Sequence, residues 1–308
     1  MSRIHEALKR AEREKGRAPA AKTPAEPASV APKSPAPAPP PSSSGGATPV
    51  AAALAAATAS APASLPIAVP LTDLPAQLAS CRRAHWHEDA SKLLFLSGRA
   101  PVFATEQLRA LRSRLYQFRE TRPLKSVLVT SAMPGEGKSF ICSNLAYAFA
   151  RQSDKRVLLL DADLRAPSLH TFLGAPRDPG LSAYLRGEAG LEQILQRGPH
   201  ENLFLIPAGR PAQNAADLVA GGKLKGLLAE ASPLFDWILL DSPAVAGSPA
   251  VAPVSDALEI AGWCDGVLLV VEGGKTPYDL AQNVTRSLGE KRLLGVVLNR
   301  TDPSSAIS

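Results

Sequence analysis

The 308-residue chain predicts an α/β fold, a doubly wound and mostly parallel sheet flanked by helices. Three observations predict it. Six short runs, 127–129, 156–161, 203–207, 237–241, 267–271 and 294–298, are almost continuously apolar, as strands buried on both faces are. Helical patterns separate the later ones, over 138–151, about 180–196, 217–231, 253–262 and 277–289. Two runs end in acid, at Asp161 and Asp241. Repeated βα alternation demands right-handed crossovers and places ligands at the carboxyl ends of the strands.

Composition separates this domain from what precedes it. Thirteen of the 29 prolines fall in residues 17–72, among Ala and Ser. Such a stretch cannot bury enough apolar area to offset the entropy of ordering it. The expected organisation is an N-terminal amphipathic helix within 1–16, a disordered Ala/Pro-rich linker over 17–84, a folded domain over 85–303 and a tail over 304–308. In residues 2–15, Ile4, Ala7, Leu8 and Ala11 share one helical face, which suggests a docking arm for a partner or an anionic membrane surface.

The formal charge is +6, and residues 1–22 carry +4 of it. The basic character belongs to the arm, so nucleic-acid binding by the core is not expected. Cys81, Cys142 and Cys264 are scattered, without a C-x-x-C pair, and neither a disulfide framework nor a zinc ribbon is expected. The neighbourhood of Cys81, His85 and His87 fits no standard metal spacing. Prolines 62, 66 and 70 break the most apolar long stretch, and the N-terminus lacks a hydrophobic signal region. A cytoplasmic protein is expected.

Taken in order, the first folded element is a helix over 104–119. It carries Glu106-x-x-Arg109-x-x-Arg112, a charged stripe beside Leu108, Leu111 and Leu115. Spacing alone reads this as a solvated face. The strand Val127–Val129 then enters a loop ending Pro134-Gly135-Glu136-Gly137-Lys138-Ser139, which opens onto a helix. Glycines let the backbone approach phosphate oxygens, and the helix N-terminus adds partial positive charge. Lys138 is expected at the β/γ-phosphates and the Ser139 hydroxyl on Mg²⁺. Ala132 stands where this motif commonly opens with Gly. The acids after the later strands extend the site. Asp161 and Asp163 can orient the waters of Mg²⁺ and accept a proton, and Asp241 can reach the metal through water. Each acid taken singly could instead cap a turn.

A loop of this form, then Asp161-x-Asp163-x-Arg165, then Asp241-x-Pro243, resembles the bacterial tyrosine kinases of capsule and exopolysaccharide synthesis. Gly180-Leu181-Ser182 and Leu298-Asn299-Arg300 also match that pattern, and the resemblance spans about 100–300. It implies a P-loop ATPase fold with ATP and Mg²⁺ as cofactors. Gly135, Glu136, Gly137, Lys138, Ser139, Phe140 and Asn299 would bind nucleotide, Asn299 at the adenine edge. Lys138, Asp161 and Asp163 would be catalytic, with Ser139, Asp163 and Asp241 around the metal. The resemblance turns the Glu106, Arg109 and Arg112 stripe into an expected homo-oligomer contact. It also implies a membrane activator of the polysaccharide chain-length regulator type, here a separate protein that recruits the chain to the inner face of the membrane. The family's tyrosine-rich tail is not found after Arg300, so the expected acceptor is another protein, or the chain is an ATPase switch of the export machinery. Positioning and partition ATPases, which share the fold, usually carry a lysine where Met133 stands.

Overall fold

In the computed structural model, residues 76–96, 101–246 and 255–301 are described. The arm helix over 2–15, the linker up to residue 75 and the tail 304–308 lie outside them. The strands are β1 (Arg82–Arg83), β2 (Ser126–Ser131), β3 (Val157–Asp161), β4 (Gln196–Arg197), β5 (Leu203–Ile206), β6 (Trp237–Asp241), β7 (Gly266–Glu272) and β8 (Leu293–Asn299). They form one sheet in the order β1-β4-β5-β3-β6-β2-β7-β8. Every neighbouring pair is parallel except β4 with β5.

All six apolar runs become strands, and the reason is visible in the core. Alternate residues of one strand face opposite sides of the sheet. Leu158 and Leu160 enter one apolar cluster and Val157 and Leu159 the other. Leu128, Ile238, Leu240 and Leu269 follow the first pair, and Val127, Val129, Leu239 and Val270 the second. A strand buried on both faces cannot alternate with polar residues, and each such side chain contributes roughly 1.5–3 kcal/mol on leaving water.

The helices are α1 (Ala76–Ala79), α2 (Val102–Thr121), α3 (Lys138–Ala150), α4 (Leu169–Leu173), α5 (Leu181–Arg186), α6 (Leu191–Ile194), α7 (Ala215–Ala220), α8 (Lys223–Ala231), α9 (Ser255–Trp263) and α10 (Tyr278–Leu288). Two expected helices are each divided. The 180–196 segment breaks between α5 and α6 at Gly187–Gly190, and the 217–231 segment breaks at Gly221-Gly222 between α7 and α8. Glycine loses most entropy in a helix, so these pairs interrupt an otherwise continuous apolar pattern. No helix among the described residues is long and apolar enough to cross a membrane.

The fold begins earlier than residue 85. Leu78 of α1 is fully buried, and β1 joins the sheet edge beside β4. The boundary read at 84/85 is therefore corrected to residue 76 or earlier. Two arginines on a two-residue edge strand carry no apolar alternation, which is why composition alone extended the linker past them.

Candidate active site

The phosphate loop links β2 to α3. Gly135 (φ +85°) and Gly137 (φ +93°) both adopt left-handed backbone, which other residues enter only with strain. The chain turns sharply there, and α3 starts at Lys138, presenting the unpaired N–H groups of a helix N-terminus. Glu136, between the two glycines, departs from expectation. Its side chain is 1 % exposed and does not line the cleft. One carboxylate oxygen accepts the Met133 N–H at 2.7 Å, and the other accepts the Thr276 hydroxyl. Burial pushes this carboxyl above the usual range, against the pull of those hydrogen bonds. The Glu136 side chain thus shapes the loop and does not face the cleft.

Asn299, at the end of β8, donates from Nδ2 to the Glu136 carbonyl at 2.8 Å. A Cβ at position 137 would come within 2.1 Å of that nitrogen, so the loop and Asn299 are in close contact. Asn299 and Arg300 border the cleft, and one N–H of the Asn299 amide is taken by the loop.

Sheet register brings the acids together. Asp161 and Asp241 end neighbouring strands and are direct partners across β3 and β6. Lys138 Nζ lies 3.1 Å from Asp163 Oδ2. Burial alone would lower the lysine's pKa, but Asp241 and then Asp163 outweigh it and hold the ammonium above its ordinary range. The other oxygen of Asp163 accepts the Ala166 N–H at 2.9 Å, which fixes the carboxylate toward the lysine. Asp161 is completely buried. Its oxygens accept the N–H groups of Asp163 (3.2 Å), Ser168 (3.1 Å) and Leu169 (3.0 Å). It holds the turn that presents Asp163 and does not line the cleft. Burial, and then Asp241, push its carboxyl well above the usual carboxylate range.

Asp241 is also completely buried, and neither oxygen has a hydrogen-bond partner. Burial pushes its pKa up to about 6, opposed first by Lys138 and then by the nearby Ser139 hydroxyl. Two orphaned carboxylate oxygens beside a hydroxyl suit a hard cation that takes oxygen ligands and keeps several of its waters. The residues present therefore fit Mg²⁺.

A cleft of about 580 Å³ opens over the loop. Gly135, Gly137, Lys138, Ser139 and Phe140 form its floor, and Ala166, Ser168 and Phe172 form one side. Ser91 and Lys92 complete the wall, and no sequence motif pointed to them. They arrive on a strap, residues 84–96, that crosses α3 and α4. Asn144 of α3 grips it, accepting the Leu94 N–H (2.7 Å) and donating to the Lys92 carbonyl (2.8 Å). Glu88 accepts the Tyr147 hydroxyl and lies 3.0 Å from His200 Nε2. Each of these contacts spans 50 or more residues of sequence.

The stripe on α2 divides. Glu106 and Arg109 pair with each other on the exposed face. Arg112 turns inward and donates to the Ala148 carbonyl at 2.6 Å, closing the C-terminal end of α3.

Residues 127–308 match the CobQ/CobB/MinD/ParA nucleotide-binding domain family. The chain is 36 % identical over 197 residues to the tyrosine-protein kinase YwqD of Bacillus subtilis, covering 63 % of this chain and 80 % of that one. It is equally identical over 181 residues to the succinoglycan biosynthesis transport protein ExoP of Rhizobium meliloti, covering 57 % of this chain but only 22 % of that longer one. The kinase domain of the Escherichia coli tyrosine kinase ETK superimposes with a TM-score of 0.58 at 29 % identity, over 65 % of this chain and 78 % of that one. The loop, the paired strand-end acids and these relatives agree: the chain belongs to the CobQ/CobB/MinD/ParA nucleotide-binding family and, within it, to the bacterial tyrosine-protein kinases.

Proposed function

We propose that this chain is a protein-tyrosine kinase of exopolysaccharide or capsule synthesis that moves the γ-phosphoryl group of ATP to a tyrosine of another protein. The observation that carries the reading is Lys138 at the floor of the cleft, held against Asp163 behind it, with Asp241 buried nearby without a hydrogen-bond partner. Phosphoryl transfer asks a protein mainly for positioning and charge stabilisation. Lys138 and the loop N–H groups would bind the β- and γ-phosphates. Ser139 and Asp241, with Asp163 nearby, would hold Mg²⁺, which when bound neutralises charge on the phosphates. As Lys138 turns to phosphate, Asp163 is released to take the proton of the attacking tyrosine hydroxyl. The new bond joins that oxygen to the γ-phosphorus, the bond to the β-phosphate oxygen breaks, and ADP leaves. Asp161 acts one step back, by holding the turn that aims Asp163.

The proposed partner is a separate membrane activator of the polysaccharide chain-length regulator type, which would recruit the chain from the cytoplasm to the inner face of the membrane. Self-association through α2 belongs to the same reading. A second reading, an ATPase switch of the export machinery, keeps the same site and differs only in the acceptor. Incubation with ATP, Mg²⁺ and the activator fragment, followed by phosphosite mapping, separates them: phosphotyrosine on a partner supports the kinase, and ADP release alone supports the switch. Lys138→Met is expected to lower turnover at least 100-fold in either case. Unchanged turnover in that variant would sink the site assignment.

A further inference from the structure

The chemistry proposed above leaves one buried acid of the loop unused, Glu136. Its side chain passes beneath the loop between two left-handed glycines. Three bonds tie this residue to three places. One carboxylate oxygen accepts the Met133 N–H (2.7 Å) at the start of the loop. The other accepts the hydroxyl of Thr276, in the turn between β7 and α10. The Glu136 carbonyl accepts Asn299 Nδ2 (2.8 Å) at the end of β8. Thr276 is itself 2 % exposed, and its oxygen accepts the Glu272 N–H at 2.9 Å, so its single hydrogen is committed to Glu136.

This arrangement carries an electrostatic cost. A buried carboxylate under an anion-binding loop repels the phosphates that the loop must hold. A salt bridge does not offset it, because both oxygens face neutral donors. The compensating effect is conformational. A loop turning on two glycines has many shapes open to it, and a carboxylate satisfied from two sides selects one of them before ligand arrives.

We propose that Glu136 and Thr276 are positioning residues of the phosphate loop, a clamp that presets its shape for phosphate and couples it to the turn after β7. The inference rests on the reading of the cleft as an ATP site.

Thr276→Val keeps the side-chain shape and removes the hydroxyl, whereas Thr276→Ser keeps the hydroxyl. With the full chain and Mg²⁺, Thr276→Val is expected to weaken ATP binding about tenfold by calorimetry, and Thr276→Ser to restore it to within about twofold. Amide hydrogen exchange over Met133–Gly137 is expected to speed up in Thr276→Val and not in Thr276→Ser. Glu136→Gln, which leaves one acceptor, is the second variant if Thr276→Val does not fold, with the same direction expected. Wild-type affinity and exchange in Thr276→Val, or equal losses in both Thr276 variants, would overturn the clamp while leaving the ATP site standing. A wild-type chain that binds no ATP would overturn both.

Discussion

Asp241 illustrates how a single residue can be poorly placed for stability and well placed for binding. Three carboxylates, Asp161, Asp163 and Asp241, share a buried neighbourhood with one lysine. Asp161 is compensated by three backbone N–H groups and Asp163 by Lys138. Asp241 lacks a hydrogen-bond partner in the fold; the Lys138 charge and the nearby Ser139 hydroxyl offset its burial only in part, and its raised pKa records that deficit. Asp241→Asn removes a buried charge at constant shape and relieves repulsion with its neighbours. The nucleotide-free variant is therefore expected to melt a few degrees higher than wild type, while ATP turnover falls by about 100-fold. Calorimetric melting in parallel with an ADP-release assay checks this; a lower melting temperature would show that Asp241 is stabilised by something beyond the groups around it. The motif reading singled out Lys138, Ser139, Asp163 and Asp241 from short local patterns, and the fold brings them into one neighbourhood. It could not give the direction of the Glu136 side chain, because where a loop residue points depends on the backbone angles of its glycines and on a distant threonine.

Among the elements, the strap over 84–96 departs most from what the sequence suggests. It shows neither helical nor strand periodicity; Trp86 and Leu93 anchor it in the core, and single polar contacts tie it to α3, α4 and the turn before β5. Tyr147 is the buried half of one of these contacts. Burial, and then the charge of Glu88, push its ionisation well above the ordinary value of 10.0. Above pH 10 the unfolded chain loses a proton that the folded chain keeps, so this residue makes stability fall as pH rises. Tyr147→Phe is expected to cost roughly 1 kcal/mol at pH 7, through the lost bond to Glu88, and to flatten the alkaline part of the stability profile. Urea unfolding at pH 7 and at pH 10.5 measures both effects, and an unchanged alkaline slope would exclude Tyr147 as its source. Strand positions, by contrast, were legible to within one residue for β3, β5, β6, β7 and β8. Burial on both faces leaves a local signature, a continuous apolar run between turns, whereas the strap's own short run, Leu93–Leu96, forms neither strand nor helix.

For the molecule as a whole, the outstanding surface is α2. Val102 is 75 % exposed and Phe103 50 % exposed at its start, ahead of the exposed Glu106–Arg109 pair. Arg112 is engaged inside the fold, so reversing its charge would disturb α3 as well as any contact between chains. Arg109→Glu alone is the cleaner test of self-association. It is expected to shift the sedimentation profile toward monomer and leave ATP affinity within about twofold of wild type, since an exposed pair contributes little to the fold itself. An unaltered profile would reject the stripe as an interface.

The sequence by itself determined the parallel sheet, the phosphate loop and the acids that end two strands, because each is coded by neighbours in the chain: apolar runs, a glycine-rich turn, an acid after a strand. Only the tertiary structure decided that Asp161 lies beside Asp241, that Asp161 supports a turn while Asp241 stays unpartnered, that Glu136 reaches Thr276, and that the strap walls the cleft. These depend on strand order and on contacts that join residues from 50 to 140 positions apart. Such contacts arise when sheet and helices pack, and no local pattern of residues specifies them.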